Sequence, residues 1–166
     1  DYVDVVKQTM QMISTEDMPG PLRALSAHAK TAIKEGYVKP NKRIFDNAKV
    51  SDHFAIIPTL QAPKSLTEIE AKLYDLVVKR FIAVFYPSAE FMVTTRITKV
   101  PTQLDGRPQE LQFQTNGKVL VNPGWLAVYG KEAQSDEEKD ANLVPVKPGE
   151  TVRTEEVRQA ALKTKP

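Results

Sequence analysis

The spacing of the apolar residues changes at Pro87, and that change limits what the chain can fold into. Before it, Ile69, Leu73, Leu76, Val77, Phe81, Val84 and Phe85 recur at intervals of three and four, as along one face of an α-helix. After it, Phe91, Val93, Thr95 and Ile97 alternate with Met92, Thr94, Arg96 and Thr98, the period of a strand. Pro87 stands between the two patterns and terminates the helix. The expected fold class is therefore α+β, with a helical N-terminal part over residues 1–88 joined to an antiparallel β-rich part over residues 89–166.

Other segments follow the same division. Tyr2, Val5, Val6, Met10 and Ile13 fall at helical spacing, and Ser14 through Gly20 end that first helix. Pro21 suits the first turn of a second helix, with Leu22, Leu25, Ala29, Ala32 and Ile33 on one face and Gly36 as its C-terminal cap. His28 lies beside that stripe and reads as helix surface or packing, with no chemistry assigned to it. Ser65 with Glu68, and Thr67 with Glu70, are alternative capping boxes for the helix that follows. Lys79 and Arg80 interrupt its apolar face and could reach a phosphate, although snorkelling is the commoner role for such residues. In the β-rich part, residues 101–109 read as a long hairpin loop with a turn at Asp105-Gly106, and Asn116-Gly117 reads as a second tight turn. Trp125 is assigned to packing in preference to stacking on a base. Leu143 to Val146 reads as a short edge strand before a Pro148-Gly149 turn.

The stretch richest in chemistry is Lys49 to Thr59. Ser51, Asp52 and His53 put three hydrogen-bonding side chains of different type side by side, one of them titrating near neutral pH. Such a triplet can handle a phosphate or a proton. It can equally be a turn in which Asp52 caps a backbone N–H and His53 is a surface group. Ile56 and Ile57 are expected to anchor the stretch in a core, and Pro58 pushes Ile57 toward an extended backbone.

Composition excludes several classes. The 166 residues contain no cysteine, so disulfides and thiolate metal sites are ruled out, and two distant histidines could hold a metal only with carboxylates. No apolar run approaches the roughly 20 residues that cross a bilayer, and no N-terminal signal core is visible, so a cytoplasmic protein is expected. The formal net charge of +2 says little. Its distribution says more: Arg23, Lys30, Lys34, Lys39, Lys42, Arg43, Lys49 and Lys64 make one segment basic, while Glu132, Asp136, Glu137, Glu138 and Asp140 form an acidic loop. A polyanion approaching one face fits that asymmetry.

The block Ser51-Asp52-His53-Phe54-Ala55-Ile56-Ile57-Pro58-Thr59 resembles the histidine motif of type IA DNA topoisomerases, in the form of the bacterial topoisomerase III branch. Further blocks resemble the family in the same order: Tyr74 to Pro87, Val93 to Ile97, Gly117 to Leu120, and Pro123 to Gly130. Together they cover nearly the whole chain.

The resemblance implies a partial toroid. Residues 1–88 would be the later portion of the tyrosine-bearing domain, and residues 89–166 part of the β-rich arch over the central hole. It further implies that the nucleophilic tyrosine lies in a motif just upstream of this sequence, that Tyr2 is not that nucleophile, and that Mg2+ is held by an acidic domain outside this chain. The tail from Thr151 onward is expected to be extended on the same ground. His53 would contact a phosphate of single-stranded DNA and Asp52 would orient its imidazole. Ser51 and Thr59 are weaker candidates for phosphate contact, and Lys49 and Arg96 are taken as backbone contacts on their charge and place in the chain, not on a family role. Phe54 stands where the family commonly has a second histidine. The isolated piece is expected to be catalytically inactive and, through the open strand edges of a truncated domain, prone to self-association. Two other readings fit the residues: a self-standing module for single-stranded nucleic acid, and a hydrolase built on Asp52, His53 and a serine.

Overall fold

The computed structural model describes residues 2–15, 18–50, 55–130 and 143–161. Helix α1 spans Tyr2–Ile13 and buries Val3, Val6, Met10 and Ile13, spaced three, four and three residues apart. A 3-10 turn, Gly20–Leu22, carries Pro21 and runs directly into α2, Arg23–Lys34. Leu22, Leu25, Ala29 and Ala32 repeat the same spacing and are buried to the last atom or nearly so. The small side chains of Ala29 and Ala32 let the neighbouring helix approach closely. Gly36, at φ +63°, ends α2, with the Tyr37 N–H reaching the Ala32 carbonyl at 2.9 Å, as in a Schellman cap.

Helix α3, Glu68–Ala83, begins on one of the two capping boxes. The Thr67 hydroxyl accepts from the Glu70 N–H at 3.3 Å, and the Thr67 N–H donates to the Glu70 carboxylate at 2.7 Å, which holds that carboxyl below its ordinary pKa. Glu68 is left to pair with Lys72 at 2.6 Å. The buried face of α3 is Val78, Phe81, Ile82 and Ala83, continued by Phe85 and Tyr86. Burying Ile82 completely contributes about 1.5–3 kcal/mol.

The apolar stripe read from the sequence is corrected here. Ile69, Leu73 and Leu76 are 79%, 61% and 61% exposed, because the elements packed on α3, α2 and the 3-10 turn before it among them, bury only its C-terminal turns, from Val78 to Ala83. The first turns project past them.

The alternating segment forms one hairpin, β1 over Glu90–Leu104 and β2 over Arg107–Asn122, antiparallel. Residues 101–109 are therefore no loop. The strands run up to a two-residue turn whose members, Asp105 and Gly106, have φ of +52° and +74°, the left-handed pair a tight hairpin turn requires. Asn116-Gly117 is no turn either, since Asn116 pairs with Thr95 and Gly117 with Thr94 in the middle of the ladder. Ladder hydrogen bonds along 15 residues outweigh a local dipeptide preference. At ~3.3 Å per residue the arm extends roughly 50 Å.

Neither face of the hairpin is buried: Met92 on one and Val93 on the other are both exposed. The ladder is stabilised locally, by Thr95 against Asn116 at 3.1 Å, Lys99 against Glu110 at 3.1 Å, and the Lys118 ammonium 3.7 Å from the Phe91 ring centroid. Its outer edges have no strand partner among the described residues. Residues 143–147 form no strand; the Arg96 guanidinium donates to the Val144 carbonyl and ties that segment to β1.

The arm is bolted to the helices at its foot. Gly124, at φ +48°, sits where a Cβ would lie 2.5 Å from the Pro87 and Ser88 carbonyl oxygens, and the Trp125 N–H donates to the Pro87 oxygen at 2.9 Å. The short helix α4, Leu126–Tyr129, then returns Val128 to the helical core. No helix among the described residues is long and apolar enough to cross a membrane.

Candidate nucleic-acid interface

Ser51, Asp52, His53 and Phe54 lie outside the described residues, as does the acidic loop from Glu132 to Asp140. The chain on either side of the triplet is described. Asp46 accepts from the Ala48 N–H at 3.1 Å and caps a 3-10 turn, Asn47–Lys49, that leads to Val50. Beyond the triplet, Ala55, Ile56 and Ile57 run without regular structure to the buried Pro58. The expected anchoring by both isoleucines is corrected: Ile57 packs against the core, whereas Ile56 is 83% exposed. An extended backbone sends consecutive side chains to opposite sides, so only one of the pair can face inward.

Val50 on one side of the triplet and Ala55 to Ile57 on the other all line one open groove of about 930 Å³. Its other walls come from α1 (Tyr2, Val6), from α3 and the turn after it (Leu76, Arg80, Phe85), and from the foot of the arm (Ser88, Trp125). Most of that lining is apolar. The charges are Arg43, Arg80 and Asp46. Asp46 is already engaged, with one oxygen on the Ala48 N–H and the other 3.8 Å from the Lys49 ammonium. The two guanidiniums have no ion pair among the described residues.

The adjacent cations on α3 are separated by their positions on the helix. Lys79 turns inward, pairs with Asp75 at 2.8 Å and is about three-quarters buried; its charge, after burial itself, helps depress the His28 pKa. Arg80, one residue and 100° further round, is exposed on the groove wall.

The remaining residues singled out from the sequence lie apart from one another. Lys49 is a well-exposed cation on the turn before the triplet. Thr59 closes a loose side-chain turn with Gln61 at 3.5 Å. Arg96 is on the arm, bound to Val144, and does not line the groove. Three groove residues were undervalued at the sequence level: Arg43, Arg80 and Trp125. Arg80 carried a usable signal, since it stands four residues after Leu76 and so shares its helix face. Trp125 carried none, because its position depends on where the hairpin ends.

Among the described residues no three His, Asp or Glu side chains gather as metal ligands. With its aromatic walls and two guanidiniums that make no ion pair among the described residues, the groove is equipped to hold an anionic, partly aromatic ligand.

Residues 8–166 match the family model described as DNA topoisomerase. The chain belongs to that family. DNA topoisomerase 3 of Bacillus licheniformis is 38% identical over 149 residues, which cover 87% of this chain and 19% of that protein. DNA topoisomerase 3 of Bacillus subtilis is 37% identical over 139 residues, 81% of this chain and 18% of the relative, and that of a Bacillus cereus strain 37% over 134 residues, 77% and 17%. These relatives agree with the type IA, topoisomerase III branch that the sequence blocks resemble. The chain spans about a fifth of the length of the curated relatives it matches. No solved structure matches it.

Proposed function

We propose that this chain is a piece of a cytoplasmic, nucleoid-associated type IA topoisomerase that changes DNA topology by breaking and rejoining a single strand through a phosphotyrosine link. In that reading the groove is the side of the piece that faces the cleavage centre. One convergence supports it. By the family resemblance two features belong near the cleaved phosphate, the histidine motif and the tyrosine motif upstream of Tyr2; both flanks of the first, and Tyr2 itself, line the same groove.

His53 then donates a hydrogen bond to a phosphate oxygen, with Asp52 orienting its imidazole. A charge-assisted bond of this kind is worth roughly 1.5–3 kcal/mol, or about tenfold to a hundredfold in rate. Ser51, Lys49 and Thr59 add backbone contacts. The nucleophile and the Mg2+ site belong to other parts of the protein, and the open edges of the arm belong against the rest of the arch.

The test is relaxation of negatively supercoiled DNA by the full-length protein that contains this segment. His53→Ala should slow relaxation about tenfold or more and leave the thermal midpoint unchanged. Relaxation at the wild-type rate would overturn the role of His53. Relaxation by the 166-residue chain alone would overturn the placing of the nucleophile elsewhere. Ester hydrolysis by that chain, abolished by His53→Ala, would favour the hydrolase instead.

A further inference from the structure

We infer that the groove is a nucleotide subsite for single-stranded DNA, in which Arg80 and Arg43 hold backbone phosphate and the Trp125 indole carries a base. This rests on the reading above and extends it to residues outside the histidine motif. Four observations carry it. Arg43 and Arg80 come from separate elements, the loop before the 3-10 turn and α3, yet line one groove, and neither has an ion pair among the described residues. The carboxylate between them in the lining, Asp46, is taken up by Ala48 and Lys49, so the field presented to a ligand is positive.

Trp125 is 38% exposed on the groove wall although it belongs to the foot of the arm. Its ring is steadied by Tyr129, edge to face at 5.7 Å and 87°, and its backbone N–H is fixed on the Pro87 carbonyl. A steadied, half-open indole beside guanidiniums offers a stacking surface and a phosphate clamp together, and stacking tolerates any base sequence. Finally, about 930 Å³ lies toward the upper end of ligand clefts, with room for more than one nucleotide.

Trp125 is the sole tryptophan, so its fluorescence reports the subsite directly. The 166-residue chain is titrated with an eight-residue oligodeoxythymidylate, following tryptophan emission and, with a labelled copy, anisotropy. Quenching should track the anisotropy. Arg80→Gln should weaken binding about tenfold and lower the salt dependence by ~0.7 in the log–log slope, one contact's worth on a single strand. Arg43→Gln should act similarly, and Lys72→Gln, on the far turns of α3, should not. Circular dichroism and urea midpoints equal to wild type establish that each variant is folded.

Binding seen by anisotropy without any change in emission, and unaffected by Arg80→Gln, would overturn the subsite and leave the role of His53 standing. A groove reserved for another polypeptide segment would give no oligonucleotide binding at all, which overturns it equally. An inert His53→Ala in the relaxation assay, with quenching intact, would sink the cleavage-centre reading and not this one.

Discussion

The Tyr86 hydroxyl donates a 2.9 Å hydrogen bond to the His28 carbonyl oxygen, joining the chain just beyond α3 to the middle of α2 across 58 residues of sequence. The His28 and Tyr37 rings meet the Tyr86 ring edge-on at 6.3 and 5.1 Å. Burial pushes the Tyr86 phenol up from its ordinary pKa, with Thr31 pulling the other way. Tyr74 on α3 is the contrasting case: its hydroxyl is buried and has no hydrogen-bond partner among the described residues, and burial raises its pKa too. Tyr86→Phe should therefore cost about 1 kcal/mol, whereas Tyr74→Phe should be neutral or stabilise by up to ~1 kcal/mol, because it removes an unsatisfied group. Urea unfolding of the two variants side by side checks the opposite signs.

Stability should fall with pH through the histidine range. The His28 pKa is lowered from 6.5, first by burial and then by the Lys79 charge facing it from α3. The folded chain then binds fewer protons than the unfolded chain as the medium acidifies. Stability is fully present above 6.5 and is lost as pH drops below it toward the depressed folded value. Urea midpoints between about pH 7.5 and 5.5, where carboxylates are still ionised, should decline. In His28→Gln that decline should flatten.

Gly124→Ala should destabilise more than Gly106→Ala. Both positions have positive φ, +48° and +74°, so each substitution carries a backbone cost of about 1–3 kcal/mol. At Gly106 nothing lies within 4 Å of the new Cβ, whereas at Gly124 it meets two backbone carbonyl oxygens at 2.5 Å. Thermal midpoints should separate the pair clearly, and an equal loss in both would mean that the foot of the arm is not locked there.

The two halves of α3 should respond differently to truncation. Ile82→Ala removes a fully buried side chain and should cost about 2–5 kcal/mol. Leu73→Gln, at a position 61% exposed, should change the unfolding free energy, read from urea denaturation, by no more than about 0.5 kcal/mol. A large loss in the second variant would place the exposed stripe back in the core.

What the sequence by itself determined are the features set by neighbours along the chain. The spacing of Val6, Met10 and Ile13 in α1 and of Leu22, Leu25, Ala29 and Ala32 in α2, the Gly36 cap and the Asp105-Gly106 turn depend on contacts within a few residues, and the α+β class follows from them. The choice of Thr67–Glu70 over Ser65–Glu68, the end of α3 at Ala83, short of Pro87, and the exposure of Tyr2, Val5 and Ile33 do not. Distant contacts decided the rest. Whether Leu73 is buried depends on how far α2 extends along α3, and Asn116-Gly117 stays in a strand because β1 supplies its partners. Arg43, Arg80 and Trp125 share a groove only because the loop before the triplet, α3 and the foot of the arm pack together. A local pattern fixes the conformation a segment prefers; the neighbour each face meets is set by long-range packing, which no short window of sequence contains.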